Sequence, residues 1–169
     1  EEAIESFLRQ TYPNKELIVL NDCPVLELVC NAPGVRVVNV SERFPSLGDK
    51  RNAGVALARG DLIATWDDDD ISLPWRLSLS YQMLGNADYF NPQSCWFRHS
   101  GKMEAQHGSI VGANMSLFRR DALRAIGGYP SLTLGEDQVF DAAMRATVVT
   151  RGGAASGDPE LPPEDWFYI

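Results

Sequence analysis

Apolar positions change their period along the chain, and each change marks an element. Ala3, Ile4, Phe7 and Leu8 recur at helical spacing, so the chain begins within a helix that stops near Tyr12-Pro13. Glu16–Leu20 is a short apolar run closed by Asn21-Asp22, which reads as a buried strand. Val35–Val40 repeats that pattern after the Pro33-Gly34 turn. Lys50–Arg59 reads as a helix that Gly60 terminates, and Asp61–Trp66 as a third strand. Ser72 and Pro74 open another helix carrying Trp75, Leu79 and Met83. Gln93–Arg98 and Lys102–Gln106 flank His99-Ser100-Gly101 as a hairpin, and Ser109–Leu117 reads as a strand. A helix follows over Asp121–Ile126, ended by Gly127-Gly128. Val139, Phe140, Ala143 and Met144 mark a last amphipathic helix with Glu136 and Asp137 at its start. Gly152–Pro163 turns to Gly, Pro, Ala and acid, the composition of a loop.

This βαβα rhythm predicts an α/β fold with a mainly parallel sheet between helical layers, in which ligands bind beyond the carboxyl ends of the strands. The 169 residues fit one domain with its own core. A net charge of −8 excludes a general nucleic-acid-polymer binder, yet leaves nucleotides open, because a divalent cation can bridge carboxylates to a diphosphate. Cys23, Cys30 and Cys95 lack metal-ligand spacing and read as reduced thiols. No apolar run approaches the ~20 residues of a membrane span, and no signal peptide opens the chain. The expectation is a cytoplasmic protein, either free or peripheral to the inner face of the membrane.

The run Asp67-Asp68-Asp69-Asp70 stands at the carboxyl end of the third strand. In extended chain Asp67 and Asp69 point to the same side, roughly 7 Å apart, while Asp68 and Asp70 point oppositely. Two such carboxylates suit one hard cation: magnesium, manganese or calcium. A solvated acidic loop or a helix cap is the blander reading, and the placement after a buried strand weighs against it. Lys50 and Arg51 begin the preceding helix and supply complementary charge, where helix N–H groups also favour phosphate. Asp22, at another strand end, borders the same crevice and can accept a hydrogen bond from a nucleobase or ribose, or simply shape the turn into Cys23-Pro24. Glu136 and Asp137 start a helix, where a carboxylate is held as the anion that a general base requires. Simple capping explains either one taken alone. His99 and His107 read as structural or surface residues, and Trp96-Phe97 as core or acceptor-side packing. The sequence contains no G-x-S-x-G, no Walker lysine loop and no G-x-G-x-x-G.

In order and spacing, these segments resemble the inverting glycosyltransferases of the GT-A fold, family two. The matching stretches are Ser6–Pro13, Glu16–Asp22, Lys50-Arg51-Asn52-Ala53-Gly54, Ala58–Ala64, and Asp67–Asp70 with Pro74. Further matches are Gly112-Ala113-Asn114, Phe118–Leu123, Gly127-Gly128-Tyr129 and Gly135-Glu136-Asp137. The resemblance implies metal-dependent transfer of a hexosyl group from a UDP- or GDP-sugar to a carbohydrate, glycan or lipid-linked acceptor, as in polysaccharide biosynthesis. Residues 1–90 would form the donor half and residues 91–169 the acceptor half of one domain. It implies that Asp22 contacts the base, Arg51 the base or diphosphate, and Asp68 the ribose. Asp67-x-Asp69 would be the D-x-D motif, with Asp69 the direct ligand of Mn2+ or Mg2+. Asp137 would be the general base, and Glu136 would orient the acceptor. Asn21-Asp22-Cys23-Pro24 departs from the commoner paired aspartates followed by Gly-Ser. The family also has a central first strand before the opening helix, absent from these residues, and continues past Ile169 toward a histidine that completes the metal site. Two other readings stay open. A sugar-phosphate nucleotidylyltransferase shares a related sheet but leaves Glu136-Asp137 unexplained. A non-catalytic carbohydrate-binding domain would not need intact Asp69 and Asp137.

Overall fold

The computed structural model describes residues 1–92, 94–100, 102–107, 113–151 and 167–168. In chain order the elements are α1 (Glu2–Leu8), β1 (Leu17–Asn21), β2 (Val35–Asn39), α2 (Leu47–Leu57), β3 (Leu62–Ala64), α3 (Arg76–Leu84) and β4 (Tyr89–Phe90). Then come β5 (Ser94–His99), β6 (Lys102–His107), a 3-10 turn (Ala113–Met115), β7 (Leu117–Arg119), α4 (Arg120–Ala125), α5 (Glu136–Thr147), β8 (Thr150–Arg151) and β9 (Phe167–Tyr168). The expected loop at 152–163 lies outside the described residues. Among the described residues no helix is long and apolar enough to cross a membrane.

Several boundaries move for local reasons. The first helix ends at Leu8, short of Tyr12-Pro13. The chain there turns to meet the segment before α3: Gln10 Nε2 donates to Leu73 O (2.7 Å) and Thr11 N–H to Pro74 O (2.7 Å). Helix α2 begins at Leu47, ahead of the expected Lys50, because Ser46 caps it by accepting from Asp49 N–H at 3.1 Å. It also ends before Gly60. The Arg120 guanidinium donates to Val55 O, Ala58 O and Gly60 O, meeting carbonyls that the helix end leaves free. The strand expected over Ser109–Leu117 starts only at Leu117; Ser116 N–H returns to Ala113 O in the 3-10 turn. Strands β4 and β8 were not expected. Each has two residues, too few to show a period, and both Tyr89 and Phe90 are buried.

The sheet is mixed. Strand β1 pairs parallel with β2, and the order β3-β7-β4-β8 has β7 antiparallel to both neighbours and β4 parallel to β8. Strand β5 pairs antiparallel with β6 and parallel with β9. One cluster of buried residues joins Ile63, Tyr89, Phe118, Leu123, Tyr129, Phe140 and Met144; a second joins Leu84, Phe90, Met115 and Leu117. Helix α5 therefore contributes Phe140 and Met144 to the core, while Val139 faces outward.

Strands β1 and β3 do not pair with each other. Leu17 N–H donates to Gly34 O and Val40 N–H to Asn21 O, so these β1 positions turn toward β2. By alternation the backbone of Ile18 and Leu20 faces the other way. Thr65 N–H donates to Ser116 O and Arg120 N–H to Asp61 O, which leaves Leu62 and Ala64 facing away from β7. Ile18, Leu62 and Ala64 line one cavity of about 780 Å3. Strand spacing, layer spacing and rise give roughly 160 Å3 per strand residue, so this cavity has room for about five. Among the described residues no strand fills it.

Candidate active site

Three successive residues of α2 reach four different segments. Lys50 Nζ donates to Asp22 Oδ1 at 2.7 Å, tying α2 to the carboxyl end of β1. Arg51 faces two carboxylates: Nη1 lies 3.1 Å from Asp67 Oδ1, and Nε donates to Glu136 Oε1 at 3.2 Å. Asn52 grips the Tyr129 backbone from both sides, donating to its carbonyl (2.9 Å) and accepting from its N–H (2.8 Å). The approach is close enough that a Cβ on Gly128, at φ +94°, would come within 3.0 Å of Asn52 Oδ1. Because successive polar residues of α2 each find a partner on another segment, its polar positions follow no amphipathic period. That is why sequence patterning underrates α2, and why Asn52 and Tyr129 stand out only as family motif residues.

The ion pairs set the charge states. The Lys50 ammonium, helped by the Phe44 N–H, holds the Asp22 carboxyl below its usual range against the opposing effect of burial. Burial works against the Arg51 charge, but Asp67, Tyr129 and Glu136 outweigh it and raise its pKa. The Tyr129 ring stacks on Phe140 at 4.1 Å, with the Arg51 guanidinium 5.9 Å from its centroid. Burial pushes the Tyr129 phenol up; Arg51 opposes this, while Asp67, Glu136 and Asp137 reinforce it. Asp137 therefore shares the electrostatic environment of Arg51 and Asp67. It lies half-buried in the first turn of α5, after the left-handed Gly135.

The aspartate run is not extended. Strand β3 stops at Ala64, and Asp68 and Asp69 form an exposed turn, so the alternation expected for Asp67 and Asp69 does not apply. Asp67 turns to Arg51, and Asp70 is buried. Arg76, missed by the sequence reading, underlies the run. It donates to Thr65 O (2.5 Å) and Ser72 Oγ (2.8 Å) and lies 4.4 Å from the Trp66 ring centroid. Burial lowers its pKa to about 10, opposed by Asp70 and Asp67, so it stays cationic at neutral pH. Among the described residues no three acidic, histidine or cysteine side chains gather as a metal cage. An exposed Asp68-Asp69 turn suits a hard cation shared with a diphosphate, since magnesium-type ions use one or two carboxylates plus substrate phosphate. The side chains of His99, His107, Trp96 and Phe97 lie outside the described set. Cys23, Cys30 and Cys95 are free thiols.

The arrangement is an α/β domain of GT-A type, with carboxylates from two strand ends and one helix start drawn together by α2. Comparison with known proteins agrees. Solved structures of S. aureus TarS share the fold: residues 1–349 superpose with a TM-score of 0.72 at 16% identity, covering 99% of this chain and 55% of that one. Its UDP-GlcNAc complex gives 0.71 at 15% identity, covering 98% and 53%. Succinoglycan biosynthesis protein ExoO of Rhizobium meliloti (strain 1021) is 38% identical over 91 residues, 51% of this chain and 25% of the relative. The uncharacterized glycosyltransferase YwdF of Bacillus subtilis (strain 168) is 34% identical over 93 residues, 52% of this chain and 34% of the relative. The chain thus spans a minor part of the curated relatives' length. The glycosyl transferase family 2 model matches residues 1–102, and the chain belongs to that family.

Proposed function

We propose that the protein transfers a sugar from a uridine diphosphate sugar to an acceptor hydroxyl, with inversion and with a divalent cation. The observation that carries this reading is the Arg51 bridge, which draws Asp67 at the donor-side strand end and Glu136 at the start of α5 to one guanidinium. A donor and an acceptor need such a shared crevice, since the acceptor oxygen must approach the anomeric carbon opposite the departing diphosphate. The TarS structures determined with UDP and UDP-GlcNAc support a uridine donor at the level of the fold. The ExoO relative supports a saccharide acceptor of the kind met in polysaccharide assembly.

Asp22, set beside Lys50 and the Phe44 N–H, contacts the nucleotide base, and Asp68 in the exposed turn contacts the ribose. Asp69, with Asp67, would hold Mn2+ or Mg2+ together with the diphosphate, where the cation would supply compensation for charge on the leaving phosphate. Asp137 takes the proton of the acceptor hydroxyl as its oxygen bonds to the anomeric carbon and the nucleoside diphosphate leaves. Asp137 sits in the first turn of α5, and Glu136 beside it orients the acceptor. The test is Asp137→Asn in the intact protein. UDP–Mn2+ binding should persist while transfer falls by at least about 100-fold; transfer at the wild-type rate would remove Asp137 from the base role.

A further inference from the structure

Arg51 pairs with carboxylates on two separate segments, Asp67 after β3 and Glu136 at the start of α5. A guanidinium carries five N–H donors. Nη1 and Nη2 lie 3.1 and 3.4 Å from the two Asp67 oxygens, and Nε lies 3.2 Å from Glu136 Oε1. The side chain is only 15% exposed and that of Glu136 only 5%. Those pairs engage all three of its nitrogens and leave two N–H groups on a mostly buried side chain, so its donors go chiefly to Asp67 and Glu136.

Two carboxylates around one guanidinium form a poor stability device. Burying such a cluster incurs desolvation that an apolar filling would avoid. What the cluster does supply is geometry. Asp67 follows β3, whereas Glu136 is the first residue of α5 and the neighbour of Asp137. Tyr129, whose ring lies under the guanidinium, stacks on Phe140 of the same helix, so a second contact braces α5 from below. Asn52, the next residue of α2, fixes the Tyr129 backbone.

We infer that Arg51 is a positioning residue, holding the first turn of α5 in register with the end of β3 rather than binding the nucleotide itself. The inference deepens the transferase reading and rests on it for its catalytic consequence, but its structural half can be tested without turnover. Urea unfolding of Arg51→Met, Glu136→Gln, Asp67→Asn and the paired variants closes two double-mutant cycles. Each pair should lose no more of the unfolding midpoint than its worse single variant. Additive losses in the Arg51–Glu136 cycle would overturn the inference whatever the protein catalyses. The functional half is a split in kinetics and binding on the intact protein. Arg51→Met should lower kcat roughly 100-fold while UDP–Mn2+ affinity measured by calorimetry stays at the wild-type level, and Arg51→Lys should recover part of the rate. Lost UDP affinity with kcat preserved would make Arg51 a nucleotide contact and overturn its positioning role. Absence of UDP binding in the wild-type protein would instead count against the transferase reading alone.

Discussion

Helix α2 carries two glycines for which the same substitution should have opposite signs. A Cβ on Gly48 would lie 1.8 Å from Pro130 O and 2.8 Å from Pro130 C, both backbone atoms that no rotamer change can move. Reaching an ordinary contact requires the 130–132 strap to retreat by about 1.5 Å. That retreat would break the bond from Gly48 N–H to Leu132 O (3.0 Å) and strain the one from Ser131 Oγ to Asp49 (2.8 Å). Overpacking costs about 1–3 kcal/mol and the lost hydrogen bond about 1. The better helix propensity of alanine returns up to ~1. Gly48→Ala should therefore destabilise by about 1–3 kcal/mol, or roughly 2–10 °C in Tm for a domain of this size. Gly54, one and a half turns on, has nothing within 4 Å of its Cβ position. Gly54→Ala should stabilise by about 0.5–1 kcal/mol. Because the strap leads to Gly135 and Asp137, Gly48→Ala should also cost about 100-fold in turnover, the effect of a misplacement near 1 Å. Thermal and urea unfolding of both variants decides the matter. Equal stability of Gly48→Ala and the wild type, or destabilisation by Gly54→Ala, would refute the argument.

Arg76→Met removes the buried cation facing Asp70 and Asp67 and should cost about 3–5 kcal/mol; a loss under 1 in urea unfolding would show that the aspartate run does not depend on it. Asp22 predicts a pH dependence. Its folded pKa is depressed by Lys50, so the stability it contributes is present above the ordinary carboxylate range and is lost as pH falls through the lowered folded value. Unfolding measured from about pH 5 down to 2 should show this slope in the wild type and less of it in Lys50→Met; an unchanged slope would deny the pairing.

Much of the donor side was legible because it rests on short-range pattern. Apolar runs ending at Asn21-Asp22 and at the aspartates located two strand ends, and Gly135-Glu136-Asp137 gave the start of α5. The extended reading of Asp67–Asp70 failed because β3 ends at Ala64, once Thr65 N–H has paired with Ser116 O, a partner distant in sequence. Arg76 was invisible for a related reason. On pattern alone it is the first polar residue of an amphipathic helix, and only tertiary packing shows that it is buried beneath a cluster of opposite charge. The two-residue strands β4 and β8 have no period to read: β4 is held by pairing with β7 and by Phe140 of α5 against Tyr89, and β8 by pairing with β4. That β1 and β3 do not pair with each other follows from the sheet order, which no local pattern in the sequence encodes.

In the proposed function, carboxylates gathered by α2 form a nucleotide-sugar site loaded through a cation. Calorimetry of UDP with the intact protein tests it most directly, with and without Mn2+ and in the Asp69→Ala variant. Binding should require Mn2+ and should fall by at least about tenfold, or 1.4 kcal/mol, in Asp69→Ala. Equal UDP affinity in metal-free buffer and in the variant would contradict the account.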